Sequence, residues 1–290
     1  MNRIIFWLAY APLWLLTLLP LRVLFVISDI IYFIVYRLVG YRKSVVRENL
    51  EKSFPDKTTS ELRKIEQDFY RHLCDSFMEW VYPLHRNAGE MEKYYHFLNP
   101  ELINTLYAKG KGVVGVLGHY GNWEYLSLLP KKIEHKVWAI YKPLKNKRFD
   151  KLITDLRSKY GVHMTPNTES IRKLMSEANA GEITMTYFLA DQSPMRQDIK
   201  YRTTFLNQDT PVFLGPELVA TKLDMAVVFI DIRKIRRGRY EVEFSILTEH
   251  PRLCKPFEIT ELHVKALEAA IIRDPAWWLW SHRRWKHSRN

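Results

Sequence analysis

The sequence is short of cysteine and of the signatures that mark the common catalytic folds. Only Cys74 and Cys254 occur, far apart and in no CxxC pattern. That spacing fits a reduced, cytoplasm-facing compartment without structural zinc, and no metal site is expected. There is no Walker A loop, no GxSxG elbow and no HExxH helix, which argues against NTPase, serine-hydrolase and zinc-protease chemistry. Gly110, Gly112 and Gly115 match GxGxxG by spacing. A dinucleotide fingerprint needs a strand before it and a helix after it. Here a helical stretch, 101–108, precedes and a strand follows, so no nucleotide cofactor is expected.

What is present is apolar, aromatic and basic. With 290 residues, 47% of them apolar, the chain can fill one large α/β domain or two small ones. The 9 Trp, 16 Tyr and 14 Phe suit membrane interfaces as well as cores. A net charge of +12 favours anionic partners: lipid head groups, phosphorylated sugars, an acidic carrier protein or nucleic acid. Residues 4–21 are almost uniformly apolar, just long enough to cross a bilayer as a helix that Pro12 and Pro20 would kink. A second apolar run, 23–36, is followed by Arg37, Arg42, Lys43 and Arg47. Basic residues after the run put the rest of the chain on the cytoplasmic side. The expected division is therefore a membrane anchor with interfacial helices over 1–40 and a single α/β domain over 41–290, although the apolar hairpin could also lie on the surface without crossing.

The chain is organised around Gly112–Leu129, GVVGVLGHYGNWEYLSLL. Val113, Val114, Val116 and Leu117 read as a strand buried on both faces. Gly118 and Gly121 allow a sharp turn, Asn122 is a helix N-cap, and Trp123, Leu126 and Leu129 form the buried stripe of the next helix. On one regular helix His119 and Glu124 would point roughly 140° apart. With His119 in the loop and Glu124 in the first helical turn, the two can converge as a general base and its orienting carboxylate. The plain alternative is a surface histidine beside a solvated glutamate.

Further along, a capping region at 57–60 precedes Leu62, Ile65, Phe69, Leu73, Phe77 and Val81, whose three- and four-residue spacing reads as an amphipathic helix, with His72 and Glu79 on or near it as structural residues. Strands are expected at 137–141 and 184–190, a helix at 168–180, a hairpin over 226–233 and 240–247, and a last helix capped by Thr260. Asp191 and Gln192 close the 184–190 strand, so His119, Lys142 and Asp191 fall on one rim of a doubly wound sheet. Arg148, Lys151, Arg157 and Lys159 decorate a helix, as a solvated face or as a carrier-protein docking surface. The closing stretch interleaves Trp277, Trp278, Trp280 and Trp285 with Arg283 and Arg284. This pattern suits an interfacial belt beside a membrane anchor better than nucleic-acid stacking.

GHYGNWE after a valine-rich strand resembles the HX4E signature of the glycerolipid acyltransferase superfamily. Its surroundings are similar to one branch, the late lauroyl and myristoyl acyltransferases of lipid A biosynthesis. ENL and SFP at 48–55, the YKPLKN stretch, the Asp191-Gln192 pair and W-x-HRR-W-K at the end extend the likeness thinly over nearly the whole chain. The chain departs from it at Phe205-Leu206-Asn207 and Gly215-Pro216-Glu217, which puts the acceptor in question more than the chemistry.

The resemblance implies a mixed sheet flanked by helices, with an N-terminal anchor in the bacterial inner membrane and the catalytic domain on the cytoplasmic face. It implies a His119/Glu124 dyad that moves an acyl chain from acyl carrier protein, or from acyl coenzyme A, to a hydroxyl of a lipid A precursor. No cofactor is implied. Lys142, in place of the family's usual Arg, and Asn146 would bind substrate, and backbone N–H groups, Lys142 or Arg172 would meet the oxyanion. A lysophospholipid or aminolipid acceptor uses the same chemistry, and a lipid-binding protein without catalysis is the reading of another class.

Overall fold

The computed structural model describes residues 2–288; residue 1 and residues 289–290, the extreme ends of the two expected segments, lie outside them. Helix α1 (Asn2–Leu16) stops where Thr17 turns its hydroxyl onto the Trp14 carbonyl, 2.8 Å away. Pro20 then starts α2 (Leu21–Tyr32), which continues as a π-helical stretch to Val39 and ends at Gly40 with φ +64°. Helix α3 (Lys43–Ser53) follows at 90° to that segment. Among the described residues no single helix is long and apolar enough to cross a membrane. Leu21, Leu24, Ser28 and Tyr36 face the domain, while Leu15, Val26, Ile30, Phe33, Leu38 and Val39 are exposed. The N-terminal hairpin thus lies along the domain with an apolar outer face.

Helix α4 (Thr59–Val81) is amphipathic as its spacing predicts. It opens with a capping box in which Thr58 accepts from the Glu61 amide and Glu61 accepts from the Thr58 amide. After the short α5 (Ala88–Glu92), β1 (Tyr95–Phe97) and α6 (Pro100–Ala108), strand β2 (Val113–Leu117) enters the core with all five residues buried. Its period of two divides it: Val113 and Leu117 pack on one face of the sheet, Val114 and Val116 on the other. Each such side chain contributes roughly 1.5–3 kcal/mol through burial.

The chain then leaves β2 through the glycine loop and enters a 3-10 stretch over Trp123–Lys131, where an α-helix is expected from the sequence. Asn122 does cap it, accepting from the Tyr125 amide at 3.3 Å, but Pro130 has no N–H to continue a regular helix. Strand β3 (Lys136–Tyr141), α7 (Lys147–Ser158), β4 (His163–Pro166), α8 (Ser170–Asn179) and β5 (Thr184–Leu189) complete the parallel part.

A two-stranded hairpin, β6 (Arg202–Phe205) and β7 (Gln208–Pro211), stands apart and leads to α9 (Gly215–Leu223). Strands β8 (Ala226–Arg236) and β9 (Arg239–Thr248) form the expected hairpin. Helix α10 (Glu258–Arg273) begins two residues before Thr260, whose amide and hydroxyl both donate to Glu217. Sheet order is β1-β9-β8-β2-β5-β3-β4, a mixed α/β sheet in which β8, β2, β5, β3 and β4 run parallel. Their carboxyl ends share one edge, and β8 runs on past β2 to wall it.

Candidate active site

The β2–β5 register pairs Leu117 with Leu189, and the Ala190 amide still reaches the Leu117 carbonyl at 3.0 Å. One residue further, Asp191 faces the first residues of the glycine loop. Gly118 makes the approach possible: a Cβ there would lie 2.8 Å from Leu267 Cδ1 and 3.1 Å from Asp191 Oδ2. Gly121 supplies the return, with φ +59° and a virtual Cβ only 2.8 Å from Ile232 Cγ2.

His119 and Asp191 meet at two points. The His119 amide donates to Asp191 Oδ2 at 2.8 Å, and His119 Nδ1 lies 2.7 Å from Oδ1. The Trp278 indole donates to Oδ2 at 2.8 Å. Asp191 is buried, which alone would raise its carboxyl. The charge and hydrogen bonds of His119 and the indole of Trp278 outweigh burial and hold it at about 2. An ionised carboxylate on Nδ1 assigns the ring proton to Nδ1 and leaves Nε2 as the basic nitrogen. Nε2 sits 3.2 Å from the Gln192 side-chain amide, on a ring whose side chain is 17% exposed against 2% for Asp191.

Glu124 takes a different partner. Arg157 on α7 grips it in a fork, Nε to Oε2 at 2.8 Å and Nη2 to Oε1 at 2.6 Å. The same guanidinium lies 4.9 Å from the Trp123 ring centre, and Trp123 meets the His119 ring edge-on at 5.4 Å. The carboxylate hydrogen-bonded to the imidazole is therefore Asp191, with Glu124 one layer out. Five donors in a planar fork outcompete a single imidazole N–H for a carboxylate on the first turn after Asn122.

Of the other expected site residues, Asp191 and Gln192 join His119. Lys142 is exposed at the end of β3, and Asn146 caps α7 by accepting from the Arg148 amide at 3.1 Å. Arg172 points outward from α8, its side chain 82% exposed and 3.6 Å from Glu169. No group of three or more His, Cys, Asp or Glu side chains among the described residues could hold a metal ion.

The aromatic C-terminus corrects one expectation. Trp278, Trp280 and Arg284 are buried at 2%, 0% and 2% exposure, so they cannot form an interfacial belt. Trp277 and Trp285 are half-buried, and Arg283 is exposed. The segment instead straps the glycine loop that carries His119. Gly121 donates to the Trp277 carbonyl at 3.0 Å and Leu279 to the His119 carbonyl at 3.1 Å. His282 Nε2 accepts from the Ser193 amide at 3.2 Å, and burial pushes this imidazole down to about 4, so it stays a neutral acceptor. His282 is a functional candidate that periodicity alone misses, and the W-x-HRR-W-K text was its only signal; Trp278, expected at a membrane interface, instead donates to Asp191.

A model of bacterial lipid A biosynthesis acyltransferases matches residues 1–287. The chain belongs to this family. It is 22% identical over 289 residues to a lipid A biosynthesis lauroyltransferase of Escherichia coli K12, covering 97% of this chain and 90% of the relative. A palmitoleoyltransferase of the same organism is 23% identical over 286 residues, again 97% of this chain and 90% of the relative. A lipid A biosynthesis acyltransferase of Shigella flexneri matches to the same extent. As a lipid A acyltransferase family member the chain is an acyltransferase, and the His119–Asp191 pair, its carboxylate buried, lies on the sheet edge where doubly wound folds bind ligands.

Proposed function

We propose that this acyltransferase moves a fatty acyl chain from acyl carrier protein to a hydroxyl of a lipid A precursor, with His119 Nε2 as general base and Asp191 as the group that orients and charge-balances it. The observation that carries the reading is the buried carboxylate fixed to both the Nδ1 and the amide of His119, with Nε2 turned outward.

Nε2 takes the hydroxyl proton as the oxygen attacks the thioester carbonyl, forming a C–O bond and an oxyanion. The C–S bond then breaks, and the thiolate leaves with the proton held by the imidazolium. Gln192, with its side-chain amide 3.2 Å from Nε2, is the donor assigned to that oxyanion. Glu124 keeps a supporting part: it holds Arg157 behind Trp123, and Trp123 backs the imidazole. Lys142 and Asn146, on the loop after β3, serve the anionic substrate, while Arg172 takes no part. The thioester supplies the driving force and no cofactor is called on; the apolar outer face of α1 and α2 rests in the cytoplasmic leaflet of the inner membrane.

The test is transfer of labelled acyl groups from acyl carrier protein to a lipid A precursor. His119→Ala and Asp191→Asn are expected to lose at least a hundredfold at equal protein level, and Glu124→Gln less than either. A fully active His119→Ala would end the mechanism. Product on lysophospholipid or aminolipid alone would move the acceptor and leave the His–Asp pair standing.

A further inference from the structure

A cleft of about 620 Å³ opens beside α2, between α4 and the tip of the β8–β9 hairpin, and contains no part of the His119 site. Four cations and three carboxylates line it, and the carboxylates are largely spent. Asp75 accepts from Ser28 at 2.7 Å and from Arg237 at 2.6–3.1 Å, and Arg237 also grips Asp29 at 2.7 and 3.0 Å. Asp68 is 2.6 Å from Lys64 and 3.5 Å from Arg71.

Lys234 is the group left over. Its side chain is only 7% exposed, yet its ammonium makes one hydrogen bond, to His72 Nδ1 at 3.3 Å, and stands 3.8 Å from Asp75. Burial holds His72 well below its ordinary value, so it is a neutral acceptor that brings no counter-charge. The other two N–H donors of Lys234 have no hydrogen-bond acceptor among the described residues, and an ammonium buried with donors unmet is costly. The Trp277 ring, 4.4 Å from the ammonium, and Tyr32 supply aromatic walls, and Arg71 and Arg236 are exposed at the rim. Just outside, Ile30 of α2 and Phe33 and Ile34 of the π-helical stretch that continues it are 57%, 55% and 43% exposed. An anion in the cleft would have apolar surface directly beside it.

We propose that this cleft binds the phosphate of an anionic lipid head group, with Lys234 at its base, Arg71 and Arg236 at its rim, and the acyl chains lying along the outer face of α2. Phosphate matches the unspent N–H donors, and the neighbouring apolar side chains make an amphiphile a better occupant than a free ion. The back wall adjoins the glycine loop, since Gly121 donates to the Trp277 carbonyl at 3.0 Å. Binding does not depend on His119 or on the acyl-transfer reading.

The experiment is calorimetric titration of the full chain in dodecyl maltoside with dihexanoyl phosphatidic acid, dihexanoyl phosphatidylcholine and inorganic phosphate. Phosphatidic acid is expected to bind at least tenfold more tightly than either other probe. Lys234→Met should weaken it at least tenfold and Arg236→Gln about threefold, with His119→Ala unchanged. Should Lys234→Met lose its cooperative melt, Arg71→Gln and Arg236→Gln, both at exposed positions, carry the test together. Equal affinity for phosphatidylcholine, absence of binding, or unchanged affinity in the rim variants overturns the site; inorganic phosphate binding as tightly as phosphatidic acid overturns the lipid as its occupant.

Discussion

His119 is held through its backbone and its ring by one buried carboxylate, so geometry and charge can be separated by substitution. Asp191→Asn keeps the shape and removes the charge. Its expected loss in kcat is about 10²–10⁴, by analogy with an orienting carboxylate elsewhere, with little change in melting temperature. Trp278→Phe keeps the ring and removes one hydrogen bond from Asp191. One of the donors that hold Asp191 is then gone, and kcat should fall with KM and the melting temperature little changed, whereas a merely structural role for Trp278 would lower the melting temperature and leave kcat per folded molecule in place. Glu79 offers a stability test. Burial pushes it up to about 7, although the Tyr240 hydroxyl and the Asn122 amide both donate to it. Its folded value lies above its unfolded one, so between roughly pH 4.5 and 7 the folded state binds more protons and stability falls as pH rises. Glu79→Gln should flatten that slope, gaining on the order of 2 kcal/mol on the wild type between pH 5 and pH 8. Parallel denaturation profiles for the two proteins would contradict the assignment.

The C-terminal strap is held from the other side by α3. Buried Asn49 donates to the Trp280 carbonyl at 2.8 Å and the His282 carbonyl at 3.0 Å, and Arg42 donates to the Ser281 carbonyl at 3.0 Å. Asn49→Ala leaves the Trp280 carbonyl without a donor, at a cost of about 1–3 kcal/mol, while the His282 carbonyl keeps the Arg284 amide at 2.8 Å. Kinetics should show a fall in kcat with little change in KM, because the strap hydrogen-bonds His119 and Asp191 directly; a pure KM effect would argue against that role. Element by element, the sequence was legible where a period repeats: β2, β3, β5, α4 and the β8–β9 hairpin all lie within a few residues of expectation. The β6–β7 hairpin was not legible. Its two-residue turn is Leu206-Asn207, at φ +48° and +63°, with no glycine to announce left-handed backbone. Strands β1 and β4, three and four residues long, are too short to show alternation.

At the scale of the whole molecule, a net charge of +12 and an apolar N-terminal face act together. Binding to vesicles containing phosphatidylglycerol should exceed binding to phosphatidylcholine vesicles and fall as salt rises. Val26→Glu with Phe33→Glu, both at exposed positions, should cut it at least tenfold without lowering the melting temperature; unchanged co-sedimentation would remove this face from the membrane contact. The residues by themselves determined the buried strand, the glycine loop after it, the histidine at the strand's carboxyl end and the family these resemble, because each depends on neighbours a few positions apart. Tertiary structure decided which carboxylate meets that histidine. Asp191 reaches His119 across 72 positions through the β2–β5 register and the missing Cβ of Gly118, while Arg157, 33 positions from Glu124, claims the nearer acid. It also turned the terminal tryptophans inward, since the Trp278 N–H meets a buried carboxylate and the Trp280 N–H the Pro275 carbonyl, and the strap's own hydrogen bonds hold both indoles there. Spacing along a chain fixes a side chain's direction only within its own element; the partner at the far end is chosen by the packing of elements that sequence distance does not measure.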